Sequence, residues 1–152
     1  MTFGNQNETL QKKVMFYLEP DEDGYPPFNW ETLWVLQINP DRFQIDNIPF
    51  FVRGISYKDV VSVQRKEGEL HFEEIVSPSN HSTIRVIVFH EMNVDFLRQS
   101  LTRLGCSSEL NKTKMISVDI PPEVNYSKVI ELLAKGEEDE LWDYEEAAIR
   151  HN

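Results

Sequence analysis

What most constrains this chain is a change of period partway along it. Up to about residue 89, apolar residues come in short β-branched and aromatic runs, each stopped by proline, aspartate, asparagine or glycine; beyond Asn93 they recur every three or four residues. Strands first, then strands mixed with helices, imply an α+β fold.

The runs over 14–18, 32–38 and 42–46 read as strands, and Asn47-Ile48-Pro49 interrupts pairing because proline cannot donate to a ladder. Segments 60–64 and 69–76 flank Lys66-Glu67-Gly68, a hairpin signal. In the second of them, period 2 places Leu70 and Phe72 on one face and His71, Glu73 and Ile75 on the other. A further strand spans 83–89. Asn93 then caps a helix carrying Val94, Leu97, Leu101 and Leu104, which Gly105 ends. After a strand over 115–120, Tyr126, Val129, Ile130 and Leu133 mark a second helix closed by Gly136, and a last, acidic helix is expected over roughly 139–149.

The expected plan is a flexible tail over 1–11, then a strand-rich subdomain over 12–80, built as a small barrel or a curved antiparallel sheet. A β-α-β-α, ferredoxin-like subdomain follows over 81–149. The two halves are either separate subdomains or one continuous domain. At 152 residues the chain is long enough to bury a core without disulfides or metals.

Several motifs in one order carry a family resemblance. They are Leu18-Glu19-Pro20-Asp21-Glu22-Asp23-Gly24 with Pro26-Pro27, Glu31-Thr32-Leu33-Trp34, Asp46-Asn47-Ile48-Pro49-Phe50 and Asp59-Val60-Val61. His81-Ser82-Thr83-Ile84-Arg85-Val86, Leu104-Gly105-Cys106 and Val118-Asp119-Ile120-Pro121-Pro122 follow. Over residues 12–147 the chain resembles the bacterial domain-of-unknown-function family DUF4265. The resemblance implies a bacterial source and a cytoplasmic setting, and it supplies no activity, cofactor or catalytic residue. One departure is Asn80, where the family usually has glycine before His-Ser-Thr; asparagine tolerates positive φ better than most residues.

Candidate chemistry is sparse. His81, Ser82, Arg85 and Glu73 are the polar residues that an enzyme reading would use. A two-histidine phosphoesterase needs a second His-x-Thr pair, and none exists. A His81–Ser82 nucleophile pair fails because neighbours in a strand face opposite ways. The simpler reading has the Ser82 and Thr83 hydroxyls closing the turn after Asn80, with His81 bonding a loop carbonyl. The four histidines and Cys106 show no zinc-ligand spacing, and no Gly-rich loop forms a phosphate cradle, so neither metal nor cofactor is expected. Cys106 follows a helix C-terminus, whose dipole opposes a thiolate.

Charge points elsewhere. The formal net charge is −11, of which residues 136–152 hold −6, from Glu137, Glu138, Asp139, Glu140, Asp143, Glu145 and Glu146 against Arg150. This distribution disfavours nucleic-acid partners, whose capture rests on lysine and arginine. No apolar run is long enough for a membrane helix, no signal segment opens the chain, and the single cysteine fits a reducing compartment. The expectation is a cytoplasmic, non-catalytic module that binds a protein with a basic surface, in its sharpest form an immunity-type inhibitor of a toxin. The expected partner-binding residues are Asp21, Asp23, Tyr25 and Trp30 in and beside a Pro-rich loop, together with Glu137, Glu138, Asp139 and Glu140. Trp34, inside a strand, is assigned to the core.

Overall fold

A computed structural model describes residues 11–151. It is α+β and rich in strands. The tail expected over 1–11 lies outside the described residues except for Gln11, which opens the first strand.

Five strands close into a barrel: β1 (Gln11–Tyr17), β2 (Trp30–Asn39), β3 (Arg42–Ile45), β4 (Val60–Lys66) and β5 (Glu69–Ser77). They pair antiparallel in chain order, and β1 closes the ring by pairing parallel with β5. Glu67 and Gly68, at φ 51° and 81°, make the tight β4–β5 turn that the hairpin signal implied. Inside lie Val14, Phe16, Leu33, Val35, Phe43, Ile45 and Val61. Each such side chain contributes roughly 1.5–3 kcal/mol by leaving water.

Two details of register depart from simple alternation. The β4–β5 ladder shifts at Val60/Val61 and at Ser62/Val63, which turns Ile75 inward to pack with Leu70 and Phe72 rather than outward with His71. On β2 the inward positions are Glu31, Leu33 and Val35, so Trp34 stands on the outer wall at 40% exposure, with Lys13 Nζ 4.6 Å above its ring. The core assignment of Trp34 is therefore corrected: residence in a strand does not decide which face a residue takes.

The rest of the chain builds a second sheet from β6 (Ser82–Val88), β7 (Ser107–Asn111), β8 (Met115–Ile120) and β9 (Trp142–Ala148), in the order β7-β8-β6-β9. Helices α1 (Val94–Arg103) and α2 (Tyr126–Glu138) join β6 to β7 and β8 to β9. Ile84, Val86, Ile116, Val118, Leu97, Leu101, Val129, Leu133 and Trp142 form the core on the helix side.

The expected acidic C-terminal helix is a strand, β9, antiparallel to β6. After Glu140, at φ 60°, the chain reverses. Trp142 then packs under α2 beside Gly136 and donates Nε1–H to Leu133 O at 2.9 Å. Pairing with β6 overrides the good helix propensity of glutamate and alanine. The short, polar β7 gave no period to read. The observed half is thus β-α-β-β-α-β rather than β-α-β-α. Asn80 does take the left-handed turn, at φ 68°.

Candidate functional site

The His-Ser-Thr motif enters β6 and its side chains scatter. Ser82 is buried at 0% exposure. Its oxygen accepts the backbone N–H groups of Arg150 (2.8 Å) and His151 (3.3 Å), which leaves its own proton for His151 Nδ1 at 2.6 Å. That assignment puts the imidazole proton on Nε2, which donates to Pro121 O at 2.8 Å. A serine–histidine pair therefore exists, but with His151; its serine is fully buried, while the imidazole edges a surface pocket beside Asn80, Tyr126 and Arg150. Sequence gave no signal for it, because 69 residues separate the partners.

His81 turns instead to Asp119, with Nδ1 2.8 Å from Oδ1, rather than to a loop carbonyl. Burial pushes the Asp119 carboxyl above its usual range, with the His81 bond pulling the other way. The turn after Asn80 is closed by Ser79, whose hydroxyl donates to Tyr57 O at 2.7 Å and accepts from His81 N at 3.2 Å. Thr83 Oγ1 meets Ser56 Oγ at 2.8 Å, reaching from sheet to barrel. Glu73 sits on the barrel, where it accepts from Ser62 and Gln64. His81, Ser82, Arg85 and Glu73 thus occupy four separate environments.

The lobes are joined by polar side chains. Asp59, fully buried, accepts from Ser56 N, Ser79 N and both terminal nitrogens of Arg150, all at 2.8–2.9 Å. The Asp59 bond, opposed by burial, holds the Arg150 guanidinium above its ordinary pKa. Glu31, pointing into the barrel's end, accepts the N–H groups of Phe50 (2.7 Å), Phe51 (3.0 Å) and Val52 (2.8 Å). Arg85, from β6, donates to Phe51 O at 2.8 Å and to Val52 O.

This arrangement floors a cleft between the lobes. Its near half, about 360 Å³, runs from Tyr17, Glu19 and Tyr25 past Phe51 to Arg85 and Glu145. A further half, about 320 Å³, shares Tyr25, Arg85 and Glu145 and continues over Ile87, Met115 and Asp143. Glu145 bridges Arg53 (3.1 Å) and Arg85 (3.3 Å). The Arg85 Nε–H is a buried donor without an acceptor among the described residues, and burial lowers the pKa of this guanidinium.

The wall over the cleft is the Pro-rich loop after β1. Asp21 organises it: its Oδ1 accepts the N–H groups of Asp23 and Tyr25, both at 2.9 Å, as in an Asx turn. Tyr25 and Phe28 pack edge-on against Phe51, at 6.3 and 4.7 Å between centroids. Of the expected partner-binding residues, Asp21 and Tyr25 line the cleft, and Asp23 is exposed in the turn between them. Trp30 stands on the barrel wall at 44% exposure, edge-on to Tyr17 and His71. Glu137 and Glu138 end α2, Asp139 and Glu140 follow, and all four are exposed outside the cleft. What sequence reasoning missed here is Glu145 and the partnering of Arg85, both consequences of the unforeseen strand β9.

Cys106 is buried at 2% exposure, and loss of hydration pushes its thiol up to about 12. Among the described residues no three His, Cys, Asp or Glu side chains gather as a metal cluster. No helix among them is long and apolar enough to cross a membrane.

Comparison with known proteins agrees with this anatomy. No curated protein matches the chain. A crystal structure titled a hypothetical protein from Neisseria gonorrhoeae is similar over 91% of this chain and 95% of that one, at 24% identity and a TM-score of 0.76, which shows a shared fold. The model of the family described as "Domain of unknown function (DUF4265)" matches residues 31–144, from the buried Glu31 of β2 through most of the second sheet to Tyr144 in β9, and the chain belongs to that family.

Proposed function

We propose that this protein is a non-catalytic, protein-binding module for a partner with a basic surface. The observation that carries the reading is the interlobe cleft, where aromatic side chains meet exposed carboxylates. At its mouth Glu19, Asp21 and Asp143 are exposed and form no salt bridge among the described residues, while the half-buried Glu145 is shared by Arg53 and Arg85. Tyrosine, flanked by charge and fixed by packing, is a typical anchor of protein interfaces. The formal charge of −11 would speed encounter with a cationic partner. An immunity-type inhibitor of a basic toxin in the cytoplasm is the specific form of this reading that the acidity supports.

One observation favours an enzyme instead: Ser82 Oγ lies 2.6 Å from His151 Nδ1, a nucleophile–base distance. Its complete burial weighs against it, and labelling of Ser82 by a fluorophosphonate probe would revive it.

We read 12–80 and 81–149 as two subdomains fused through their polar joint. The strand order β7-β8-β6-β9, with both helices on one face, supports a ferredoxin-like layer for the second.

The deciding experiment is affinity capture by the tagged full chain from its native host at low salt, followed by a salt gradient. The expected result is a retained protein with a basic isoelectric point, released as salt rises. Recovery of the chain alone, or of acidic proteins insensitive to salt, overturns the reading.

A further inference from the structure

The two halves of the cleft form one trench, and its floor crosses strands. Glu145, Arg85 and Ser117 lie side by side on β9, β6 and β8, as do Asp143, Ile87 and Met115 one step further along the open face of the sheet. The barrel covers only the first of these rows, through the Arg85 contacts to Phe51 and Val52 and the Ser117 hydroxyl donating to Pro49 O. The second row is left bare, with Ile87 43% exposed. The trench floor thus sets Ile87 and Met115 beside the charged Asp143, Arg85 and Glu145, under the wall made by Tyr25.

We infer that the trench seats a short extended segment of the partner in which apolar residues alternate with arginine or lysine. This rests on the protein-binding reading above and gives it a place and a sequence chemistry. Three strands side by side span about 10 Å, a width that three to four extended residues cross at roughly 3.3 Å each. A helix with its side chains, about 10–12 Å thick, overfills halves of about 360 and 320 Å³.

Alternation is required by the two sides of the trench. The side of the segment that faces the floor meets Ile87 and Met115, with Asp143 beside them; the other side meets Glu19 and the ring of Tyr25, which favours a guanidinium over its face. The exposed Arg53 guanidinium is a donor, which suits a segment that also presents main-chain carbonyls.

The test uses a blocked hexapeptide alternating arginine with valine, titrated into the full chain while the Arg85 Nε–H and Met115 methyl signals are followed by NMR. Both signals are expected to move together. Tyr25→Ala and, separately, Asp143→Lys should weaken binding about tenfold, the loss of one well-placed contact. A glutamate–valine hexapeptide should not bind. Several results would sink the assignment: no movement at Arg85 and Met115, equal binding of the acidic peptide, free arginine binding as tightly as the hexapeptide, or self-association occupying the trench. If a basic partner is captured from the host but both variants retain it fully, the trench assignment fails and the binding-module reading survives. If the hexapeptide binds as expected while no basic partner is captured, the trench assignment survives and the reading of the whole protein fails.

Discussion

Glu31 and Arg85 grip opposite sides of one peptide segment: the carboxylate takes the N–H groups of residues 50–52, and the guanidinium takes the carbonyls of 51 and 52. One comes from the barrel and the other from the sheet, so the segment between them is the hub of the molecule.

Removing either hand should therefore cost more than a surface polar contact. Glu31→Ala strands three part-buried N–H donors, and hydrogen bonds to a charged group are worth roughly 1.5–3 kcal/mol each. A loss of about 2–4 kcal/mol is expected, with Glu31→Gln intermediate because the amide keeps one acceptor oxygen. Urea denaturation measures both, and an unchanged midpoint for Glu31→Ala would refute the role.

The Asp59–Arg150 pair makes a second, independent prediction. Asp59→Ala leaves a guanidinium and two backbone N–H groups without their acceptor, and breaking a buried pair from one side costs about 3–5 kcal/mol. The double variant Asp59→Ala/Arg150→Ala should lose less than the two single losses added. Strict additivity in this double-mutant cycle would show that the pair does not act as one unit.

Asp119 sets a pH dependence with a definite sign. Its folded pKa is raised above the ordinary 3.8, chiefly by burial, so the folded state holds this proton more tightly than the unfolded chain does. The stabilisation from protonation is fully present below 3.8 and is lost as pH climbs through the raised folded value. Stability curves of the wild type and Asp119→Asn, measured from pH 3.5 upward, should therefore diverge across that window, with the wild type losing ground as pH rises. Parallel curves would contradict the assignment.

Gly136 should tolerate nothing larger. A Cβ there would meet the Trp142 ring at 1.9 Å, and that ring is buried and held by its bond to Leu133 O. Gly136→Ala should destabilise by about 1–3 kcal/mol or more through overpacking, in spite of alanine's better helix propensity, and should shift the tryptophan near-UV circular dichroism. A stabilised Gly136→Ala protein would show that the ring is free to move.

How much of this was legible in the residues follows from where each signal lives. Local signals served well: the Glu67-Gly68 turn, the left-handed Asn80, strand β8 and the apolar stripes of both helices are written within a few residues. Face assignments failed wherever pairing decides them. Trp34 faces out because Glu31 and Leu33 face in, and Ile75 turns inward because the ladder shifts beside it. The end of the chain misled most, since a run of glutamates and alanines has helical propensity but is held extended by β6 alone. The candidate site shares that fate. Its loop, with Asp21 and Tyr25, was visible as aromatic and acidic residues among prolines, whereas the sheet side, with Glu145 beside Arg85, depends on a strand that no local pattern announces.

The covered Cys106 has a practical consequence. A solitary thiol, shielded under the second sheet and reluctant to ionise, reacts with an alkylating reagent only during the moments when that sheet parts from its helices. The rate of labelling is therefore a clock for those openings, read from the native sequence with no engineered cysteine.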